Sequence, residues 1–252
     1  MRRVQSGNLT EVFSGIQGEG IHVGRRQIFI RLCGCNLDCD YCDTSDSRSV
    51  VAVCRLERSP GRRDFAQMPN PVGLDRVIEC VRGLNSAIGL HHAAVLTGGE
   101  PLLDLDWAVE IARSSKESGM QVMLETNGSL PDRLDPILPF VDIISMDIKL
   151  ASASGGDDLM QEHREFIVKA AGKQLYVKIV VSSSTQAEEM DAAVGIVGEI
   201  DRRIPVVLQP VTERGGVRPP SADQVLAWQS ICAEHVDDVR VIPQCHKLLG
   251  QM

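Results

Sequence analysis

Short runs of β-branched and aliphatic residues recur along the chain, with room for one helix between most neighbours. The runs that we predict to be strands are 28–32, 93–97, 121–126, 141–148, 175–181, 205–211 and 239–243. Between several of them, apolar residues repeat at helical spacing, over 74–84, 106–119 and 185–200. Strands that alternate with helices are joined by crossovers, so this order predicts a mainly parallel sheet covered by helices.

The number of predicted strands fits one α/β domain over residues 1–252 better than two separate domains. The expected architecture is a partial, incomplete parallel β/α barrel. One stretch, at about 45–71, contains "SPGRR" and "PNP" and has no clear periodicity. We predict that it is an irregular insertion in the domain.

Composition limits the classes of partner. The formal net charge is −8, whereas proteins that bind nucleic acids or anionic membranes usually present a basic face. No apolar run approaches the roughly 20 residues that a membrane-spanning helix needs, and no apolar segment follows the two N-terminal arginines. The sequence therefore predicts a cytoplasmic protein without a nucleic-acid or membrane partner.

Polar and cysteine-rich segments follow the predicted strands. They are 35–44, "TGGEP" at 97–101, "ETNG" at 125–128, "DIK" at 147–149 and "QPVT" at 209–212. In parallel barrels the chemistry lies at the carboxyl ends of the strands, so these segments are expected to meet at one site. In "TGGEP", two glycines would let main chain approach a ligand, and Glu100 suits an ammonium group.

The segment "CGCNLDCDYC" holds four of the eight cysteines of the chain. Clustered cysteines in a reducing compartment favour a metal site over disulfides. A zinc ion would take all four thiolates, Cys33 included. Alternatively, Cys35, Cys39 and Cys42 would hold three irons of a four-iron cluster and leave the last iron open to a ligand.

The C-x3-C-x2-C spacing after an early strand, together with "TGGEP", resembles the radical S-adenosylmethionine (SAM) superfamily. The resemblance implies a [4Fe-4S] cluster on Cys35, Cys39 and Cys42, with SAM bound at the open iron and cleaved to a 5'-deoxyadenosyl radical. It implies SAM contacts at Tyr41, Cys42, Asp43, Gly99, Glu100, Asp147, Ile148, Lys149, Gln209, Pro210, Val211 and Thr212.

Three further motifs narrow the resemblance. "EVFSGIQGEG" at 11–20, "CDT" at 42–44 and the terminal "QCHKLLGQM" are similar to the 7-carboxy-7-deazaguanine synthase family. Its members convert 6-carboxy-5,6,7,8-tetrahydropterin to 7-carboxy-7-deazaguanine, a 7-deazapurine of queuosine-type pathways, by radical ring contraction with loss of ammonia. The implied substrate-binding residues are Ile16, Gln17, Gly18, Glu19, Arg31, Thr97 and Met252.

The same resemblance implies the remaining partners. Thr44 is expected to bind Mg²⁺ through its hydroxyl, with substrate and water as further ligands. A one-electron donor such as flavodoxin or ferredoxin and a homodimeric assembly are also implied. The radical would remove hydrogen from C6 of the pterin, and the sequence identifies no acid or base for the loss of ammonia.

Two alternatives stay open at this point. A glycyl-radical activating enzyme shares the C-x3-C-x2-C spacing but acts on a partner protein. A non-enzymatic zinc-binding module would use all four clustered cysteines.

Overall fold

In the computed structural model, residues 4–87 and 89–251 are described, and they form twelve strands and seven α-helices. The strands are β1 Ser6–Gly7, β2 Leu9–Ile16, β3 Arg26–Leu32, β4 Val53–Glu57, β5 Phe65–Pro69, β6 Val72–Gly73, β7 Ala94–Gly98, β8 Val122–Thr126, β9 Ile143–Ile148, β10 Gln174–Val181, β11 Val206–Pro210 and β12 Val239–Val241. The helices are α1 Leu74–Leu84, α2 Leu105–Glu117, α3 Ala151–Ser154, α4 Met160–Ala170, α5 Ala187–Ile200, α6 Ala222–His235 and α7 Cys245–Leu248. Among these helices, none has the length and apolar character required to cross a bilayer.

Ten of the strands form one sheet in the order β12-β11-β10-β9-β8-β7-β3-β2-β4-β5. From β12 to β3 every neighbouring pair is parallel, whereas β2 runs antiparallel to β3. The two end strands of this order, β12 and β5, are not paired with each other, so the described sheet is open. The predicted partial β/α barrel is confirmed.

The strands separate two apolar layers. Along β3, Ile28, Ile30 and Leu32 belong to the large core that includes the helices. Phe29 points to the other face, into a smaller inner cluster with Phe13, Val95, Met123 and Tyr176. Since side chains alternate along a strand, Gln27 and Arg31 share the inner face with Phe29. This strand therefore brings two polar side chains into the interior of the open barrel.

Two expectations about the N-terminal third were wrong. Residues 11–20 lie ahead of the first predicted strand, 28–32, but they contain most of β2, whose residues are mostly buried. The supposed irregular insertion at 45–71 contains the antiparallel hairpin β4–β5, which extends the sheet beyond β2. In β4, Cys54 and Leu56 are buried while Arg55 is exposed. Charged residues are typical of strands near a sheet edge, and they obscured the alternation in the sequence.

Candidate active site

A cavity of about 410 Å³ lies at the carboxyl ends of the parallel strands, within the size range of small-ligand sites. Most of the predicted site residues line it: Ile16, Gln17, Gly18, Glu19, Arg31, Cys35, Cys39, Tyr41, Cys42, Asp43, Thr44, Thr97, Gly99, Asp147, Lys149, Gln209 and Val211. Four predicted residues do not line it, namely Glu100, Ile148, Pro210 and Thr212. Met252 lies outside the described residues.

The cysteine loop divides into three residues that face the cavity and one that does not. Cys35, Cys39 and Cys42 line the cavity, whereas Cys33 is buried with its Sγ atom 3.5 Å from Thr10 Oγ1. Burial raises the pKa of Cys35 and that of Cys39. Three soft sulfur donors on one wall fit a four-iron cluster with one open iron, and this set lacks the fourth thiolate that a closed zinc site takes.

The glycines of "TGGEP" allow close packing of main chain against main chain, while Gly99 also lines the cavity. A Cβ atom on Gly98 would lie 2.2 Å from Leu32 O, and one on Gly99 would lie 1.9 Å from Gly34 O. Gly98 also has a φ of +129°, which favours glycine. The missing side chains therefore let the end of β7 pack against the end of β3 at Gly98 and against the main chain of the cysteine loop at Gly99.

Glu100 is buried and does not line the cavity. Its carboxylate accepts hydrogen bonds from Leu102 N at 3.0 Å, Thr126 Oγ1 at 2.9 Å and Asn127 N at 2.8 Å. Burial raises the pKa of Glu100, and the three donors act against that rise. Asn127 Nδ2 in turn donates to Asn36 Oδ1 in the cysteine loop. Glu100 thus fixes the "ETNG" turn, which contacts the cysteine loop.

Four charged side chains form a continuous chain across the cavity. Lys149 Nζ lies 2.7 Å from Asp147 Oδ2, and Lys178 Nζ lies 3.4 Å from the same oxygen and 2.5 Å from Glu19 Oε2. Burial alone would raise the pKa of Asp147, but Lys149 and Lys178 hold it below its ordinary value. Burial likewise opposes ionisation of Glu19, but Lys178 keeps its pKa lowered. All four groups are therefore charged at neutral pH.

Several buried polar atoms of the cavity wall have no protein partner. Among the described residues, Asp147 Oδ1, Gln209 Oε1 and the Tyr41 hydroxyl make no hydrogen bond. The Lys149 ammonium lies 5.2 Å from the centroid of the Tyr41 ring. Buried polar atoms are normally hydrogen-bonded, so unpaired acceptors here fit a bound ligand that carries donors, as SAM does.

The loop after β2 brings an amide and two carboxylates together. Gln17 Nε2 donates to Glu125 Oε1 at 2.8 Å and to Gln27 Oε1 at 3.0 Å, while Gln17 Oε1 accepts from Glu19 N at 3.1 Å. Both amide hydrogens are used within the protein. We call Gln17, Glu19 and Glu125 the acceptor corner, because the side chains of these three residues leave only oxygen acceptors for a ligand.

The segment after β12 covers the side of the cavity next to this corner. Gln244 Nε2 donates to Glu19 Oε1 at 2.9 Å and to Asp43 Oδ2 at 2.8 Å. Although burial opposes ionisation, His246 and Lys247 hold the pKa of Asp43 well below its usual range. Gln244 also accepts from the Thr212 hydroxyl at 2.7 Å, so Thr212 acts on the cavity through Gln244.

Oxygen and nitrogen donors also converge near Thr44. Glu19, Asp43 and His246 each place a possible metal-ligand atom within 4.8 Å of the others. Thr44 follows Asp43 and lines the same cavity, with its hydroxyl 3.8 Å from Cys42 Sγ. The donor set is rich in oxygen, which suits a hard cation such as Mg²⁺.

Comparisons with known proteins agree with this arrangement. The family model described as "Radical SAM superfamily" matches residues 29–153. A relative from Geobacter sulfurreducens, named 7-carboxy-7-deazaguanine synthase, is 44% identical over 97% of this chain and 97% of its own length. The chain belongs to the 7-carboxy-7-deazaguanine synthase family. A family member from Methanothermobacter thermautotrophicus is 36% identical over 96% of each chain.

A solved structure shows the same fold. The crystal structure of QueE from Escherichia coli matches 96% of this chain and 95% of its own, with a TM-score of 0.60 and 19% sequence identity. At this identity the likeness concerns the fold alone. Membership of the family decides against the two alternatives, a glycyl-radical activating enzyme and a zinc-binding module.

The sequence did not identify several lining residues. Lys178 is the most prominent, Glu125 was predicted only as part of the "ETNG" segment, and Gln244 and His246 were left without a role. Lys178 and Glu125 are each a single charged residue within a predicted apolar strand, "LYVKIVV" and "QVMLET". A lone charge in an otherwise apolar strand was the signal that could have located both.

Proposed function

We propose that this protein is a 7-carboxy-7-deazaguanine synthase, which converts 6-carboxy-5,6,7,8-tetrahydropterin to 7-carboxy-7-deazaguanine with loss of ammonia. One observation carries the proposal: the acceptor corner and Arg31 line the same cavity as Cys35, Cys39 and Cys42. A substrate with a donor-rich heterocycle and a carboxylate would thereby meet the cluster and its bound cofactor in one enclosed space.

Arg31 is the proposed partner of the substrate carboxylate. Its side chain is 13% exposed, and among the described residues its only salt bridge joins Nε to Glu11 Oε1 at 3.1 Å. The remaining guanidinium donors are then left for a carboxylate, which a planar fork binds through two parallel hydrogen bonds. Thr97 pairs with Arg31 across the parallel strands β3 and β7, so both side chains would contact the same part of the substrate.

The acceptor corner is proposed to bind the amino-pyrimidinone edge of the pterin. That edge presents N–H donors, and the corner offers carboxylate and amide oxygens to them. Hydrogen bonds from neutral N–H groups to ionised carboxylates are stronger than neutral pairs, which favours this orientation over the reverse one. Ile16 and Gly18 would complete the contact through main chain and apolar surface.

Cys35, Cys39 and Cys42 are proposed to hold the [4Fe-4S] cluster, next to the SAM-binding residues Asp147 and Gln209. When bound, the cluster and SAM supply a radical that removes hydrogen from C6 of the pterin. The unpartnered oxygens of Asp147 and Gln209 would accept hydrogen bonds from SAM. The protein's contribution is to hold substrate and cofactor in fixed orientation and to exclude water.

The remaining parts of the proposal come from the family. Thr44 would bind Mg²⁺ together with the substrate carboxylate, and the oxygen-rich surroundings of Asp43 and Glu19 support a cation in this position. A flavodoxin or ferredoxin would supply the electron. A homodimeric assembly and a cytoplasmic location complete the proposal.

The decisive experiment is an anaerobic assay of reconstituted protein with reductant, SAM, Mg²⁺ and the carboxypterin. We expect 7-carboxy-7-deazaguanine and ammonia, detected by mass spectrometry and by an ammonia assay. The Cys39→Ala variant, which lacks one cluster ligand, is the matched control. Cleavage of SAM without any deazaguanine would show a radical SAM enzyme with a different substrate.

A further inference from the structure

A chain of hydrogen bonds leads from the acceptor corner into the barrel interior. Gln17 Nε2 donates to Gln27 Oε1 at 3.0 Å, and Gln27 Nε2 lies 3.2 Å from His92 Nδ1. Gln17 is 3% exposed and Gln27 is fully buried. His92 is held in place by its main-chain N–H, which donates to Arg26 O at 2.8 Å. No motif in the sequence links these three side chains.

These hydrogen bonds run in one direction, which is fixed at one end by Glu125 and Glu19 N and at the other end by His92. An amide nitrogen only donates, so His92 Nδ1 must accept, and its ring must be neutral. The Gln27 oxygen then faces Gln17, and the Gln17 nitrogen must face Gln27. This leaves the Gln17 oxygen on the side of Glu19 N, where it accepts a hydrogen bond.

We propose that Gln27 and His92 are positioning residues that fix the orientation of the Gln17 amide and thereby keep the acceptor corner selective for a ligand edge made of N–H donors. The inference rests on the proposed function, because it assigns the pterin to this corner. It adds two residues that do not line the cavity.

Protonation of His92 would reverse the direction of the hydrogen bonds between His92, Gln27 and Gln17. A protonated Nδ1 donates, so the Gln27 amide would have to rotate and turn its nitrogen towards Gln17. Gln17 would then have to rotate as well, which places its N–H donors against Glu19 N and removes the hydrogen bond to Glu125. The acceptor corner would then no longer consist of oxygen acceptors alone.

The surroundings of His92 keep the ring neutral near neutral pH. Burial lowers the pKa of His92, and the positive charge of Arg25 lowers it further. The other titratable group against the ring is His22, whose ring centroid lies 4.7 Å away. Burial and His92 also lower the pKa of His22, to about 4, so His22 does not carry a charge that would compete.

The test measures pterin binding rather than turnover. Cluster-loaded protein without reductant is titrated with the carboxypterin by anaerobic calorimetry at two pH values. One lies about one unit above the ordinary histidine pKa of about 6.5, and the other lies about one to two units below it. For the wild type we expect Kd to rise about tenfold at the lower pH, because about one net hydrogen bond is lost. His92→Asn keeps a polar group that can either donate or accept, so its Kd should change by much less.

Two further variants complete the design. His92→Leu removes the acceptor and should bind the pterin about tenfold more weakly at the higher pH. His235→Asn is the matched control, since His235 lies on α6, bonds Asp191 and does not contact Gln27. Circular dichroism and cluster absorbance establish that each variant is folded. His235→Asn should follow the wild type at both pH values.

The outcomes separate the inference from the proposed function. If the wild type does not bind the pterin at either pH, the proposed function and the inference both fail. If the wild type binds it, but His92→Asn keeps the full wild-type pH dependence, only the inference fails. Wild-type affinity in His92→Leu would also overturn the inference.

Discussion

Lys178 of β10 lies in register with Asp147 of β9, and the two side chains approach to 3.4 Å between Nζ and Oδ2. The same ammonium group lies 2.5 Å from Glu19 Oε2. Asp147 belongs to the proposed SAM site and Glu19 to the proposed pterin site. One cation therefore joins the two halves of the cavity.

Replacing this cation should weaken the binding of both SAM and the carboxypterin. In Lys178→Met, Glu19 and Asp147 would keep their burial but lose a shared positive partner, which is costly for enclosed carboxylates. Since these side chains retain 12–20% exposure, we expect a moderate effect, with both Kd values raised about tenfold. Anaerobic calorimetry with SAM and with the carboxypterin measures it.

Two variants control for the loss of a lysine. Lys178→Arg keeps a cation that can contact both carboxylates and should restore most of the affinity. Lys173→Met removes a lysine just before the same strand and outside the cavity, and it should bind both ligands normally. Normal affinity for both ligands in Lys178→Met would show that Lys178 is dispensable for binding.

For each of the four thiols of the cysteine loop, the structure predicts whether its loss affects the cluster content. Cys35→Ala, Cys39→Ala and Cys42→Ala should each lose most of the cluster, because each removes one of three sulfur ligands. Cys33→Ala should retain it, since Cys33 is buried against Thr10 and does not line the cavity. Iron and sulfide content after anaerobic reconstitution measures the loss. A colourless Cys33→Ala protein would contradict the assignment of three ligands.

The close packing at the glycines of "TGGEP" can be tested by a substitution that adds a side chain. In Gly99→Ala the new methyl group would meet Gly34 O at 1.9 Å, so the main chain must move. We expect the free energy of unfolding to fall by about 1–3 kcal/mol, the usual cost of overpacking, with weaker cluster retention. Denaturant unfolding and iron content measure the two effects.

Gly83→Ala is the matched control for that substitution. Gly83 lies in α1, and no atom is within 4 Å of its added Cβ. Alanine is a better helix former than glycine, so the free energy of unfolding should rise by up to about 1 kcal/mol. Equal destabilisation by the two variants would argue against the close contact between "TGGEP" and the cysteine loop.

Several of these features followed from the sequence and others did not. The parallel strands and the polar segments at their carboxyl ends were predictable, because strand–helix alternation fixes the direction of each strand. Lys178 was not predicted and Glu125 was given no individual role, because the alternation of a strand does not by itself tell which face lines the barrel interior. The contact between Gln27 and His92 joins residues 65 positions apart, and no local pattern encodes it.

The packing contact of the glycines could not be predicted for a similar reason. A Gly-Gly pair at a strand end shows only that something approaches the main chain closely, and it does not show whether a ligand or another loop does so. At Gly99 the approaching group is Gly34 O. The hairpin β4–β5 was missed because the charged residues and the Pro-Gly pair within 58–64 resemble an irregular loop.

Three buried histidines should make the folded protein sensitive to acid. Burial lowers the pKa of His22, His91 and His163 to about 4 each. In the unfolded chain these groups bind protons below their ordinary pKa of about 6.5. Between these two pH values the unfolded state binds more protons, so the free energy of unfolding should fall as the pH falls from about 6.5 to about 4.

His163 allows a direct test of this sensitivity. Its Nε2 atom lies 3.1 Å from Asn127 O, and as a neutral ring it donates there, while Nδ1 has no partner among the described residues. His163→Gln keeps a donor for Asn127 O but cannot take up a proton in this pH range. Denaturant unfolding at a series of pH values should therefore give a shallower decline for His163→Gln than for the wild type. The comparison depends on the slope and not on the absolute stability, so a general destabilisation by the substitution does not affect it. Parallel declines for the two proteins would contradict a buried neutral His163.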